Sequence, residues 1–122
     1  MAVMQQTRME KRSFETPDDT RRASHFRIDT ARVGDMTIGK AVLQPGWRWS
    51  KDMKPVVGTE MCMVAHTMYQ VSGVTHVAMS DGTEMDVGPG EIASIPSGHD
   101  AWVVGGEPAV SVDFGGHFGV GG

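Results

Sequence analysis

The side chains of this chain best suited to chemistry are one cysteine, Cys62, and five histidines, His25, His66, His76, His99 and His117. Cys62 and His66 are separated by three residues, and strand side chains alternate, so both fall on one face if that stretch is extended. A thiolate and an imidazole are the soft donors that zinc, iron and copper take. That spacing is a weak signal until a third donor arrives from elsewhere in the chain. His99 follows Gly90-Glu91-Ile92-Ala93-Ser94-Ile95-Pro96-Ser97-Gly98. This stretch reads as a tight turn, a short apolar strand, and a corner where Pro96 ends the ladder and Gly98 allows positive φ. No serine–histidine–aspartate arrangement, phosphate-cradling loop or dinucleotide fingerprint is present.

The elements that must position these residues are short strands. Sixteen glycines and six prolines punctuate 122 residues, as expected of strands joined by tight turns. Alternating stretches begin at His25 and include Phe26 to Val33, Met36 to Leu43, and Trp47-Arg48-Trp49. Further stretches run over Met61 to Val71, Val74 to Met79, Thr83 to Val87, Ile92 to Ile95, His99 to Val104 and Ala109 to Phe114. Asp81-Gly82 is a strong hairpin signal. No helical period of useful length appears, so the reading is all-β, a sandwich or barrel. The division is an N-terminal arm over 1–24, a barrel over 25–114 and a glycine-rich flexible tail over 115–122. The arm is polar, and is either exchanged with a second copy or partly disordered.

Length bounds this to one domain with a modest core. The formal charge is −4, from 11 Lys+Arg against 15 Asp+Glu, which argues against a nucleic-acid surface. No apolar run reaches membrane-spanning length, and the expected setting is cytoplasmic, with no nucleic-acid or membrane partner. A single cysteine permits no intramolecular disulfide. The ten methionines read as gap fillers in an irregular interior.

Gly90, Pro96 and Gly98 match the glycine, five residues, Pro-x-Gly order of the second cupin motif. Gly73, closing Tyr69-Gln70-Val71-Ser72-Gly73, matches the final glycine of the first. Between them the Asp81-Gly82 hairpin fits the inter-motif gap. The chain therefore resembles the cupins over roughly Gly39 to Phe114, which implies a jelly-roll (double-stranded β-helix) barrel, usually holding one metal ion. The usual ligands are replaced. Counting back from Gly73, His66 occupies the glutamate position and the second histidine falls at Met61 or Cys62. Counting from Gly46, the His-x-His position is Asp52-Met53-Lys54. In the second motif the histidine position is Ala101, and His99 lies two residues earlier.

If His66 points inward like the glutamate it replaces, so does Cys62, and His99 can enter the same cavity. The resemblance then implies a divalent-metal site on Cys62, His66 and His99, suited to zinc, with iron or copper as alternatives. Val64, Met68, Gln70 and Val103 are the expected pocket residues. The separate alternatives are a buried apolar cysteine and histidines bonded to backbone carbonyls. His76 has outward parity. Asp100 either orients His99 or accepts a backbone N–H. Asp52 and Glu60 are reserve carboxylate ligands if the loop over 51–59 closes on the barrel mouth, with Gly58 as its hinge. Tyr69 is a candidate acid/base of opposing parity. Trp47, Trp49 and Trp102 read as core or dimer contacts rather than a stacking platform. Cupins of this size commonly pair through N-terminal strands, so the resemblance implies a homodimer. Two functions stay open: a metal-dependent enzyme acting on a small organic molecule, and a non-catalytic small-molecule-binding or sensing module. The resemblance favours the first.

Overall fold

A computed structural model describes residues 8–115. Alternation of apolar and polar residues marks most of the strands, such as those over His66–Ser72 and Ala109–Asp113, whose burial alternates along the chain. The order is β1 (Asp19–Ala23), β2 (Phe26–Val33), β3 (Met36–Leu43), α1 (Trp49–Asp52), α2 (Lys54–Val57), β4 (His66–Ser72) and β5 (Val74–Met79). Then come β6 (Glu84–Val87), β7 (Ile92–Ile95), β8 (His99–Val104) and β9 (Ala109–Asp113). One antiparallel sheet has the order β1-β2-β3-β9-β4-β7 and the other β6-β5-β8. Their inner faces share one core, with Ile28, Ala41 and Leu43 from the first and Val77, Ala101 and Val103 from the second. Part of the tail expected over 115–122, with His117, lies outside the described residues, as do residues 1–7 of the expected arm.

The structure differs from the sequence reading in three places, each for a physical reason. The polar segment before residue 24 contains β1, which pairs with β2 from Asp19↔Thr30 to Ala23↔Phe26. All five of its residues are exposed, so no alternation marks it. The stretch from Met61 to Val71 is not one strand. Cys62 forms an isolated bridge to His99, whereas His66 pairs with Ile95 on β7. The chain leaves one sheet and joins the other between them.

Trp47-Arg48-Trp49 keeps its expected alternation, with both tryptophans buried and Arg48 exposed, but Trp49 opens a helix. The Asp100 carboxylate accepts the Ser50 N–H at 3.0 Å and the Arg48 guanidinium at 3.1 Å, and Asp52 accepts the Arg48 N–H at 2.9 Å. The bonds to the Ser50 and Arg48 backbone N–H groups satisfy donors that a helix start leaves open. Four-residue helices are too short to leave a period in the sequence. Gly58 (φ 86°) is the left-handed cap of α2, a helix-ending position, and Trp49 and Met53 anchor the segment in the core.

Candidate metal centre

Three backbone arrangements bring the donors together. Cys62 is tied to the start of β8: its N–H donates to the His99 carbonyl at 2.7 Å, and its carbonyl accepts the Gly98 N–H at 2.7 Å. The Pro96–Gly98 corner thus delivers His99 directly beside Cys62. His66 opens β4 across from Ile95. Asp113 ends β9, opposite Met68 two residues along β4, with its side chain on the inner face.

The resulting cluster is closed to solvent, with Cys62 1%, His66 4%, His99 3% and Asp113 0% exposed. One ligand atom from each of Cys62, His66 and His99 lies within 4.8 Å of the others. Cys62 Sγ is 3.7 Å from His66 Nε2, and His66 Nδ1 is 2.5 Å from Asp113 Oδ2. His99 Nδ1 lies 2.8 Å from the Pro96 carbonyl oxygen, which can only accept, so Nδ1 carries the proton and Nε2 is the remaining ring nitrogen. The two imidazoles meet edge-on, with centroids 5.2 Å apart.

Burial pushes the Cys62 thiol up, but hydrogen bonds from His66 and His99 outweigh it and bring it down to about 6. Burial likewise opposes protonation of His66, yet the Asp113 carboxylate and then Cys62 raise it to about 9. Between about pH 6 and pH 9 these shifts favour a thiolate beside an imidazolium in the metal-free protein. Ultraviolet absorbance of the metal-free protein should therefore show a thiolate appearing with a midpoint near 6, against about 8.5 for an ordinary cysteine. A midpoint at or above the ordinary value would contradict this charge arrangement.

The cluster faces a cavity of about 30 Å³ lined by Leu43, Trp47, Trp49, Met68, Val77 and Ile95 among others. Of the four expected pocket residues, Met68 lines it. Val64 packs half-buried against the core and Val103 is buried in β8. Gln70 turns toward the β4–β5 turn, where Nε2 donates to the Ser72 and Gly73 carbonyls and to Thr75 Oγ1. A wider open groove of about 260 Å³, lined by Met79, Asp81, Thr83 and Met85 among others, contains none of the three donors.

The reserve residues lie elsewhere. Asp52 bonds His25 Nδ1 at 3.2 Å and Glu60 bonds Lys54 at 2.6 Å, so neither carboxylate reaches the cluster. Asp100 accepts three donors, the Ser50 and Ala101 N–H groups and Arg48 Nε, and does not orient His99. Tyr69 faces outward. His76 also faces outward, held by Glu84 and Asp86 at 2.6 Å each and stacked on Trp102 at 4.6 Å. Trp102 carries Arg48 on its ring, 4.3 Å from the centroid. Asp113 was not singled out in the sequence, although alternation in Ala109-Val110-Ser111-Val112-Asp113 puts it on the face opposite the valines.

No protein-family model and no curated protein matches the sequence. Solved structures do match in shape. A protein of unknown function from Rhizobium leguminosarum bv. viciae is 23% identical, with a TM-score of 0.60, over 91% of this chain and 100% of that one. The polyketide cyclase RemF from Streptomyces resistomycificus is 18% identical, with a TM-score of 0.62, over 88% and 80%. The oxalate decarboxylase OxdC of Bacillus subtilis is 18% identical with a TM-score of 0.62, over 92% of this chain but 31% of that one. These neighbours include cupin-type barrels. The fold is a cupin barrel. Within it, the cupin turn signatures around Gly73 and Pro96–Gly98 keep their places, while the donors facing the cavity are a cysteine and two histidines. Among the described residues, no helix is long and apolar enough to cross a membrane.

Proposed function

We propose that Cys62, His66 and His99 bind a divalent metal, zinc by the chemistry of the donors, and that the protein acts on a small organic molecule admitted to the cavity. The observation that carries this is the convergence of one sulfur and two imidazoles, each imidazole having its other nitrogen engaged by Asp113 or the Pro96 carbonyl. Such outer partners fix ring orientation and the tautomer at metal-binding histidines. A metal held by three protein ligands with a position left open supplies Lewis acidity and an acidified water. Asp113 keeps the His66 proton on Nδ1, leaving Nε2 to face Cys62, and the apolar wall excludes bulk water. Solved structures of similar fold that are named as an oxalate decarboxylase and a polyketide cyclase support small-molecule chemistry.

A second reading, a non-catalytic small-molecule-binding module, is favoured by a different observation. Among the described residues, no carboxylate, lysine or arginine lines the cavity, so general acid–base groups are scarce there. Elemental mass spectrometry of untagged protein tests the metal. Near-stoichiometric zinc is expected, and protein that stays empty after incubation with zinc, iron, manganese and copper would overturn it. Turnover of added small acids or phenols by the loaded protein would decide for the enzyme over the binding module.

A further inference from the structure

Two donors inside the barrel have no role in the centre described above. The indole Nε1 atoms of Trp47 and Trp49 are buried without a hydrogen-bond partner. Each side chain is 3% exposed, and both line the cavity that Cys62, His66 and His99 face. An indole N–H can only donate, and a buried donor left unpaired is costly enough that most are satisfied.

The placement of these tryptophans is rigidly specified. The Trp47 carbonyl accepts the Val103 N–H at 3.1 Å. Asp100, next to His99 on β8, holds Arg48 Nε at 3.1 Å and the Ser50 N–H at 3.0 Å. The strand that presents His99 therefore also fixes the segment carrying both indoles. The surrounding wall is mostly apolar, with Leu43, Met68, Val77, Ile95 and Ala101; of its two hydroxyls, Thr75 is engaged by Gln70 at 3.2 Å and Ser111 is hydrogen-bonded to neither indole.

We propose that the cavity takes a small carboxylate, with its oxygens accepting from the Trp47 and Trp49 indoles and its remaining contact made at the Cys62/His66/His99 centre. An ionised carboxylate presents two oxygens with about four acceptor sites, and hydrogen bonds to an ion are stronger than neutral ones. A cavity of about 30 Å³ is about two to three times the 10–15 Å³ that one water requires, so it admits the three heavy atoms of a carboxylate, with formate as the smallest whole case. The inference deepens the reading above and rests on it for the second anchor. Asp100 is then a positioning residue for both donors.

The three tryptophans give separate indole signals in nitrogen-15 spectra, assignable with Trp47→Phe, Trp49→Phe and Trp102→Phe. Zinc-loaded protein of measured zinc content is titrated with sodium formate, with sodium chloride as the ionic-strength control. Saturable shifts of the Trp47 and Trp49 signals are expected while Trp102 stays still, and each of the Trp47 and Trp49 variants should weaken formate binding by about tenfold. Zinc-loaded protein whose two indole signals ignore formate would overturn the inference and leave the metal reading standing. Protein that holds no zinc yet shows both shifts would support the carboxylate site and overturn the metal reading. The wild-type titration needs no substitution, so misfolding of a variant cannot mask the result.

Discussion

On the proposed zinc site, replacing Asp113 by asparagine should weaken zinc binding by about 10- to 100-fold, the range found for outer partners of metal-bound histidines. The carboxylate sits 2.5 Å from His66 Nδ1 and is fully buried. It holds the ring so that Nε2 faces Cys62, and its charge makes the ring more basic. An asparagine of the same shape loses the charge and can present its amide the wrong way round. The thiol follows. With less support for the imidazolium, His66 falls from its raised value, and Cys62 loses the positive partner that brings it down to about 6. The thiolate midpoint of Asp113→Asn therefore moves up, toward about 8.5. Competition against a chromophoric chelator measures the first effect and thiolate absorbance the second. Unchanged affinity together with an unchanged midpoint would remove Asp113 from the centre.

Gly73→Ala should be the most damaging small substitution in the barrel. Gly73 joins β4 to β5 with φ at 69°, a left-handed backbone that a Cβ disfavours. A Cβ there would collide with the Pro108 carbonyl and lie 2.7 Å from Ala109 Cα. Both obstacles are backbone at the start of β9, which pairs with β3 and β4 and carries Asp113. Relief requires moving the strand that holds His66 in place. The expected loss is about 2–5 kcal/mol, from backbone strain of about 1–2 and overpacking of about 1–3. Gly82→Ala is the matched control. It has φ at 94° and, among the described residues, open space within 4 Å of its Cβ, so only the strain of about 1–2 kcal/mol applies. Denaturant unfolding of the pair measures the difference, and equal losses would contradict the close approach at Pro108.

Much of the frame was legible because turns and strand parity are local properties. Pro96 and Gly98 marked the corner that delivers His99, and the Cys62/His66 parity survives although the chain changes sheets between them. Parity names a face but not a height along the barrel. Met68 accordingly reaches the cavity, while Gln70, two residues on along the same face, points into the β4–β5 turn. The short helices were invisible because a long-range partner starts the first of them: the Asp100 carboxylate, fifty positions away from Ser50. Asp113 was missed for a related reason. A carboxylate near the chain end reads as solvated, and only its register against Met68 reveals that it is buried. The unpartnered indoles belong to the same class, since burial of Trp47 and Trp49 is predictable from hydrophobicity but the lack of an acceptor is not.

Cobalt(II) substitution tests the one-sulfur, two-nitrogen centre most directly, because a bound thiolate gives a charge-transfer absorption that imidazole and carboxylate ligands do not. The expected result is a thiolate-to-cobalt band at near-stoichiometric loading. It should disappear in Cys62→Ser, weaken with cobalt occupancy in His66→Ala and His99→Ala, and persist in the surface control Tyr69→Phe. Cobalt that binds without the band, or a band that survives in Cys62→Ser, would contradict a centre built on Cys62, His66 and His99.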